Sequence, residues 1–277
     1  VGPLTTILQD FKAACERDKL YAQMLNLMLF VASILAIVYV SAVLLYIWLS
    51  KPAVFLIILI GATLCIFLVL ATFISSSVKV AIPDSKSKNI QAVLAKVAKS
   101  ATQLGRGFAG LILGASVFVG ASIPAILWLV FMPEDALKEC CSIQHIGMLV
   151  LTIVLWLISV PVFAYILVLL ERGKGMLESY REALRCYCRH GYDSMLITLY
   201  VVGFGTLIGI TLWVAGTVLE SPSIKNTEEV FTLGHITIGI LTLMITIALC
   251  SIATNMVVWR ASHCLKVGSQ CFYSKKH

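Results

Sequence analysis

Six stretches of this chain contain no Lys, Arg, Asp or Glu: 20–50, 52–78, 107–133, 140–170, 194–219 and 230–259. Each is long enough to cross the hydrocarbon interior of a bilayer as a helix, which takes about 20 residues. The 277-residue chain is 60% hydrophobic and 13% charged, whereas a soluble domain carries about 25% charged residues. A soluble fold of this length needs polar cover for its exterior, and this composition does not supply it. Lipid removes the need.

The backbone then selects the architecture. Within lipid every N–H and C=O must be paired inside the protein, so only helices and closed barrels span. Barrel strands alternate polar and apolar residues, but stretches such as 53–70 and 149–170 are apolar all round, so the spans are helical. Only Lys51 separates the first two. A single helix over 20–78 would be about 90 Å long, so Ser50-Lys51-Pro52 is expected to turn, with Pro52 opening a new helix. The spans fall at 25–49, 52–74, 108–132, 146–170, 195–219 and 230–258. The fold class is all-α, a polytopic membrane protein forming one integral membrane domain over 1–277.

Charge sets the expected orientation. Of the 21 Lys and Arg, only Lys51, Lys138 and Lys225 lie in the connections on one side; the other eighteen lie on the opposite side. By the positive-inside rule both termini face the cytoplasm, with a bacterial inner membrane as the expected location. The acids Glu134, Asp135, Glu139, Glu220, Glu228 and Glu229 gather on the outside. The first span is expected to act as an uncleaved insertion signal, being too long for the core of a signal peptide. The net charge of +7 is thereby explained by topology and attraction to anionic lipid, and no nucleic-acid partner is expected.

The chain reads as three hairpin units, about 3–75, 88–170 and 175–259, each an amphipathic inner helix followed by a span, a brief outer turn and a returning span. The inner helices fall at 4–19, 89–104 and 176–190. In the second, Ile90, Val93, Leu94, Val97, Ala101 and Leu104 share a face opposite Lys96, Lys99 and Gln103. In the third, Leu177, Tyr180, Leu184 and Tyr187 oppose Arg181, Arg185 and Arg189. Such helices either lie on the membrane with the basic residues toward anionic headgroups or pack on the inner ends of the spans. Trp48, Trp128 and Trp213 recur near the outer end of the first span of each unit, as interfacial anchors do. All units share one orientation, unlike inverted-repeat transporters.

The helix-then-span segments beginning Ser179-Tyr180-Arg181-Glu182-Ala183-Leu184 and Val93-Leu94-Ala95-Lys96-Val97-Ala98 resemble the membrane domain attached to some bacterial glycerophosphodiester phosphodiesterases, and its free-standing relatives. The resemblance covers more than half the chain, as a pattern rather than a motif. It implies an inner-membrane protein; no hydrolase domain accompanies it here, so the catalytic activity of that family is not carried over.

Chemistry-bearing motifs are few. No ionisable residue falls in the middle of a span, which weighs against a proton pump or voltage sensor. Gln23, Asn26 and Asn255 fall near inner ends. His145 and His235 fall near outer ends without a metal-binding spacing. Cys186-x-Cys188 with His190 offers too few ligands on one helix for a closed zinc site, and no metal or cofactor is expected. Cys65 and Cys250 read as packing residues, and Cys15, Cys186, Cys188, Cys264 and Cys271 as reduced inner thiols. Adjacent Cys140 and Cys141 are either an interfacial pair or a link between two chains. Pro133-Glu134-Asp135-Ala136-Leu137-Lys138 matches the mitochondrial-carrier signature once where a carrier has it three times, and reads as coincidence. Metalloprotease, phosphate-loop and nucleophile-elbow motifs are absent.

Small residues carry more. Gly110-x-x-x-Gly114, with Ser116-x-x-x-Gly120, and Gly205-x-x-x-Gly209 mark smooth stripes that let helices approach in lipid. They read as packing sites within the monomer, with a homodimer interface as the alternative. Pro124 and Pro161 are expected to bend their helices. The expected function is a non-enzymatic structural or accessory subunit of a membrane assembly, partnered by lipid and by a second copy or another membrane protein. A permease for an uncharged or amphipathic small molecule is the alternative, and an intramembrane enzyme acting on lipid is a third reading.

Overall fold

The computed structural model describes residues 2–48, 52–82, 104–131, 143–219 and 228–274. All elements among them are helices: α1 (Pro3–Ala14), α2 (Arg17–Trp48), α3 (Pro52–Ala81), α4 (Leu104–Phe131), α5 (Ile143–Glu171), α6 (Met176–Arg189), α7 (Gly191–Leu219) and α8 (Glu228–Ser274). Six are long and apolar enough to cross a membrane: α2, α3, α4, α5, α7 and α8. Each covers the described residues of one expected span. The inner helix expected at 89–104, with Lys96 and Lys99, lies outside the described residues except for Leu104, which opens α4, and the outer connections with Cys140 and Cys141 lie outside them as well.

The helices overrun the expected spans. α2 begins at Arg17, α3 continues to Ala81 and α7 begins at Gly191. α8, 47 residues long, would measure about 70 Å, against a hydrocarbon core of about 30 Å. A charge ends an apolar window but not a helix, provided the charge finds a partner. α4 and α5 continue through Pro124 and Pro161 without a break in the helix.

Successive spans alternate in direction. Asn26, near the start of α2, meets Ser76 and Ser77 near the end of α3. Arg106 at the start of α4 reaches Glu171 at the end of α5, and Tyr165 late in α5 meets Ser194 early in α7. The starts of α2, α4 and α7, the ends of α3 and α5, and the later part of α8 therefore collect at one end, called here the polar end. The fully buried core is concentrated there. It centres on α5, where Tyr165, Ile166, Val168 and Leu169 are buried against α3, α6, α7 and α8. Toward the far end the helices bury little: among the described side chains none of α2 after Asn26, α3 before Ala71, or α7 after Tyr200 is fully buried.

Two short helices close the polar end. The first expected inner helix stops early, because Cys15 leaves the helical region (φ −87°, ψ 8°) and α2 restarts two residues later. α5 ends in a Schellman turn: Gly173 adopts φ +85°, its N–H donates to Leu170 O, and the Lys174 N–H donates to Leu169 O. Only a residue without Cβ takes that φ cheaply. The turn sends the chain into α6, and His190 alone separates α6 from α7.

The apolar face expected for α6 divides: Tyr180 and Tyr187 pack against the core. Ser179 and Ala183 are buried against the bundle, while Leu177 and Leu184 point outward with Arg181, Arg185 and Arg189. α1 does the same: Thr6, Asp10 and Ala14 are buried and Leu4, Leu8 and Phe11 are exposed. On both helices the fully buried residues are small or polar, because close approach and hydrogen bonding are available there.

Candidate functional site

The polar end holds a buried ionic cluster that no sequence motif announces. Arg260 of α8 lies between two carboxylates, with Nη2 2.5 Å from Asp193 Oδ1 and Nη1 3.6 Å from Asp10 Oδ1. The Tyr200 hydroxyl donates to Asp10 Oδ2 at 2.7 Å. His190 Nδ1 lies 3.7 Å from Asp193 Oδ2. Asp10 is 2% exposed. α1, α7 and α8 each contribute a charged or polar group, so the cluster ties the N-terminal helix to the last hairpin. Asn255 strengthens the tie by donating to Ala14 O at 3.2 Å, capping a carbonyl at the helix end.

One guanidinium serves two carboxylates here, and the tighter contact belongs to Asp193. Burial pushes the Asp10 carboxyl above its ordinary value, while the Tyr200 hydrogen bond and the Arg260 and His263 charges pull the other way. Desolvation disfavours the ionised form and is the larger effect.

A second cluster joins α3, α4 and α5. Glu171 lies 3.6 Å from Lys79 Nζ and 3.7 Å from Arg106 Nη1, and Arg106 also donates to the Glu171 backbone carbonyl at 3.3 Å. Arg172 donates to both the carbonyl and the hydroxyl of Ser262, joining the end of α5 to α8. Lys174 pairs with Glu178 and Glu182, and these hydrogen bonds raise its ammonium pKa. Burial raises the Cys186 thiol likewise.

A third, uncharged seam lies between α2, α3 and α8. Asn26 donates to Ser77 Oγ at 2.9 Å and accepts from Ser76 Oγ at 2.7 Å. Lys19 sits 4.9 Å from the centre of the Trp259 ring. α2 and α8 are antiparallel, so one turn further along α2 brings Gln23 to the level of Asn255. Both are buried, and Gln23 Oε1 and Asn255 Oδ1 accept no hydrogen bond.

The glycines divide. A Cβ on Gly110 would lie 3.0 Å from Leu167 Cδ2, and one on Gly114 2.5 Å from Phe163 Cε2, so these two lie in the α4–α5 contact. Gly107, which the sequence reading passed over, approaches α3 so closely that a Cβ would lie 2.1 Å from Ala71 O. Its place seven residues before Gly114, on the same helix face, was the available signal. Gly120, Gly205 and Gly209 meet nothing within 4 Å. All three are exposed, so among the described residues no packing partner stands where packing inside the monomer was expected.

Trp48 and Trp213 are exposed, Trp128 is half-buried, and Trp156 donates to Ser122 Oγ across α4 and α5. Arg181, Arg185 and Arg189 are exposed on α6. Among the described residues no group of three or more His, Cys, Asp or Glu is arranged to hold a metal ion. The ionic pairs were missed because their members fall just beyond the charge-free windows; their position in helical register with those windows was the only hint. By its six apolar helices the chain is a multi-pass integral membrane protein, and no family model, curated protein or solved structure matches it.

Proposed function

We propose that this chain is a non-enzymatic structural or accessory subunit of an assembly within the membrane. The observation that carries the reading is the outward glycine face of α7. Gly205, Gly209 and Gly216 fall on one side of the helix, and none meets an atom within 4 Å of where its Cβ would be. Glycine inside a helix costs about 1 kcal/mol relative to alanine, and nothing among the described residues offsets that here. In lipid, association depends on close backbone approach rather than on apolar area, so this face suits a neighbouring helix. The uneven burial agrees: none of the most apolar window of α2 is buried, against half of that of α5.

The three consecutive hairpins are read as versions of one plan, with the basic faces of the inner helices toward anionic headgroups. The charge asymmetry and the resemblance to bacterial membrane domains support a bacterial inner membrane with both termini in the cytoplasm. A reporter fused after Lys276 is expected to be cytoplasmic and one inserted at Asp135 external; the opposite labelling would reverse the orientation.

A second reading, a permease for an uncharged or amphipathic molecule, is favoured by the buried, unpartnered amide oxygens of Gln23 and Asn255. Extraction in polymer discs separates the two. The wild type is expected to run as an assembly, with a second copy or another membrane protein, and Gly209→Leu as a monomer of unchanged melting temperature. A wild type that runs alone, and carries solute across liposomes, would replace the subunit reading with the permease.

A further inference from the structure

α1 turns its apolar ridge away from the bundle. Leu4 is 80% exposed and Leu8 64%, while the opposite face delivers Asp10 to Arg260 and Tyr200. Between this ridge and α7 runs a groove of about 540 Å³. Leu4, Leu8 and Phe11 form one wall, Gly203, Phe204 and Leu207 the other, with Met256 among the residues between them. The Tyr200 ring also lines it, and its hydroxyl is spent on Asp10, so the lining presents almost no polar group.

We propose that this groove binds an acyl chain of a membrane phospholipid. Three observations select that occupant. The groove is continuous with the lipid-facing flank of a membrane span, since Val201, Val202, Leu207 and Ile210 of α7 are all exposed. Its volume lies within the range of about 300–1,000 Å³ that small-molecule sites take. The groove also sits at the polar end, where most of the basic residues gather and Lys12 is exposed beside Phe11, so a headgroup phosphate at the mouth meets positive charge.

Gly203 gives the test. A Cβ there meets nothing within 4 Å, so Gly203→Trp fills the groove without disturbing the packed core. Val214→Trp places the same ring on the same helix, at an exposed position outside the groove and opposite the Gly205–Gly209 face. The full chain, stripped of lipid in detergent, is titrated with dioleoyl phosphatidylglycerol and followed by native mass spectrometry. The wild type and Val214→Trp are expected to take up one tightly held lipid, and Gly203→Trp to bind it at least tenfold more weakly. Leu8→Gln, which makes one wall polar at an exposed position, is expected to weaken binding in the same direction and covers the case in which the tryptophan variant does not fold. Equal affinity in all four proteins, no tight lipid on the wild type, or a lipid-free dimer whose second copy fills the groove would each overturn the assignment.

Discussion

Gly107→Ala is expected to lower the melting temperature in detergent, against the usual sign of that substitution. Inside a helix, glycine to alanine ordinarily stabilises, by about 0.5–1 kcal/mol. Here the new methyl would sit 2.1 Å from the backbone carbonyl oxygen of Ala71. A flexible side chain could swing aside, but a helical carbonyl cannot, so α3 and α4 must separate. Overpacking of a tight contact costs about 1–3 kcal/mol, and occasionally more. The separation also lengthens the contacts of Lys79 on α3 and Arg106 on α4 with Glu171, which places the effect at the upper end of that range. Gly120→Ala, in open space on the same helix, is the control and should melt at or above the wild type. If Gly107→Ala melts as high as Gly120→Ala, the close approach of α3 to α4 is wrong.

Removing the cation of the ionic cluster is expected to do more damage. Arg260 is 11% exposed and its partners Asp10 and Asp193 are 3% and 20% exposed, so Arg260→Met strands two carboxylates with little water. Breaking a buried pair from one side costs about 3–5 kcal/mol, whereas removing both sides can be close to neutral. Adding Asp10→Asn and Asp193→Asn to Arg260→Met should therefore recover much of the loss, and the coupling is the evidence that the groups act together.

The pH dependence follows from Asp10. Its carboxyl is raised above the ordinary 3.8 by burial, so between that value and the folded pKa the folded protein binds the proton more tightly than the unfolded chain. Stability from this group is present at low pH and lost as pH rises through that window. Without Arg260 a stabilising charge is gone and the window moves further up. The deficit of Arg260→Met should accordingly be smaller in mild acid than at neutral pH. The same deficit at both would mean that the stranded charge of Asp10 is not its cause.

The glycines show how far sequence reasoning reaches in lipid. Small-residue spacing singled out Gly110 and Gly114 as readily as Gly205 and Gly209, yet the first pair meets α5 and the second meets nothing. In a soluble protein the apolar stripe of a helix marks its buried side. In α2, α7 and α8 the residues are apolar all round, because lipid and protein interior are equally tolerant of them, and periodicity no longer separates inside from outside. The apolar face of α6 divides for a related reason: Tyr180 and Tyr187 pack against the core beside Ser179 and Ala183, while Leu177 and Leu184 face outward.

Composition and the placement of charge by themselves determined six membrane-crossing helices, because the cost of charge and of unpaired backbone in hydrocarbon is large and local. Which helix lies at the centre, and that Asp10 meets an arginine 250 positions away, was decided only by the tertiary structure. Those choices rest on close approach between particular backbones and on pairing of particular charges, and neither leaves a period in the chain.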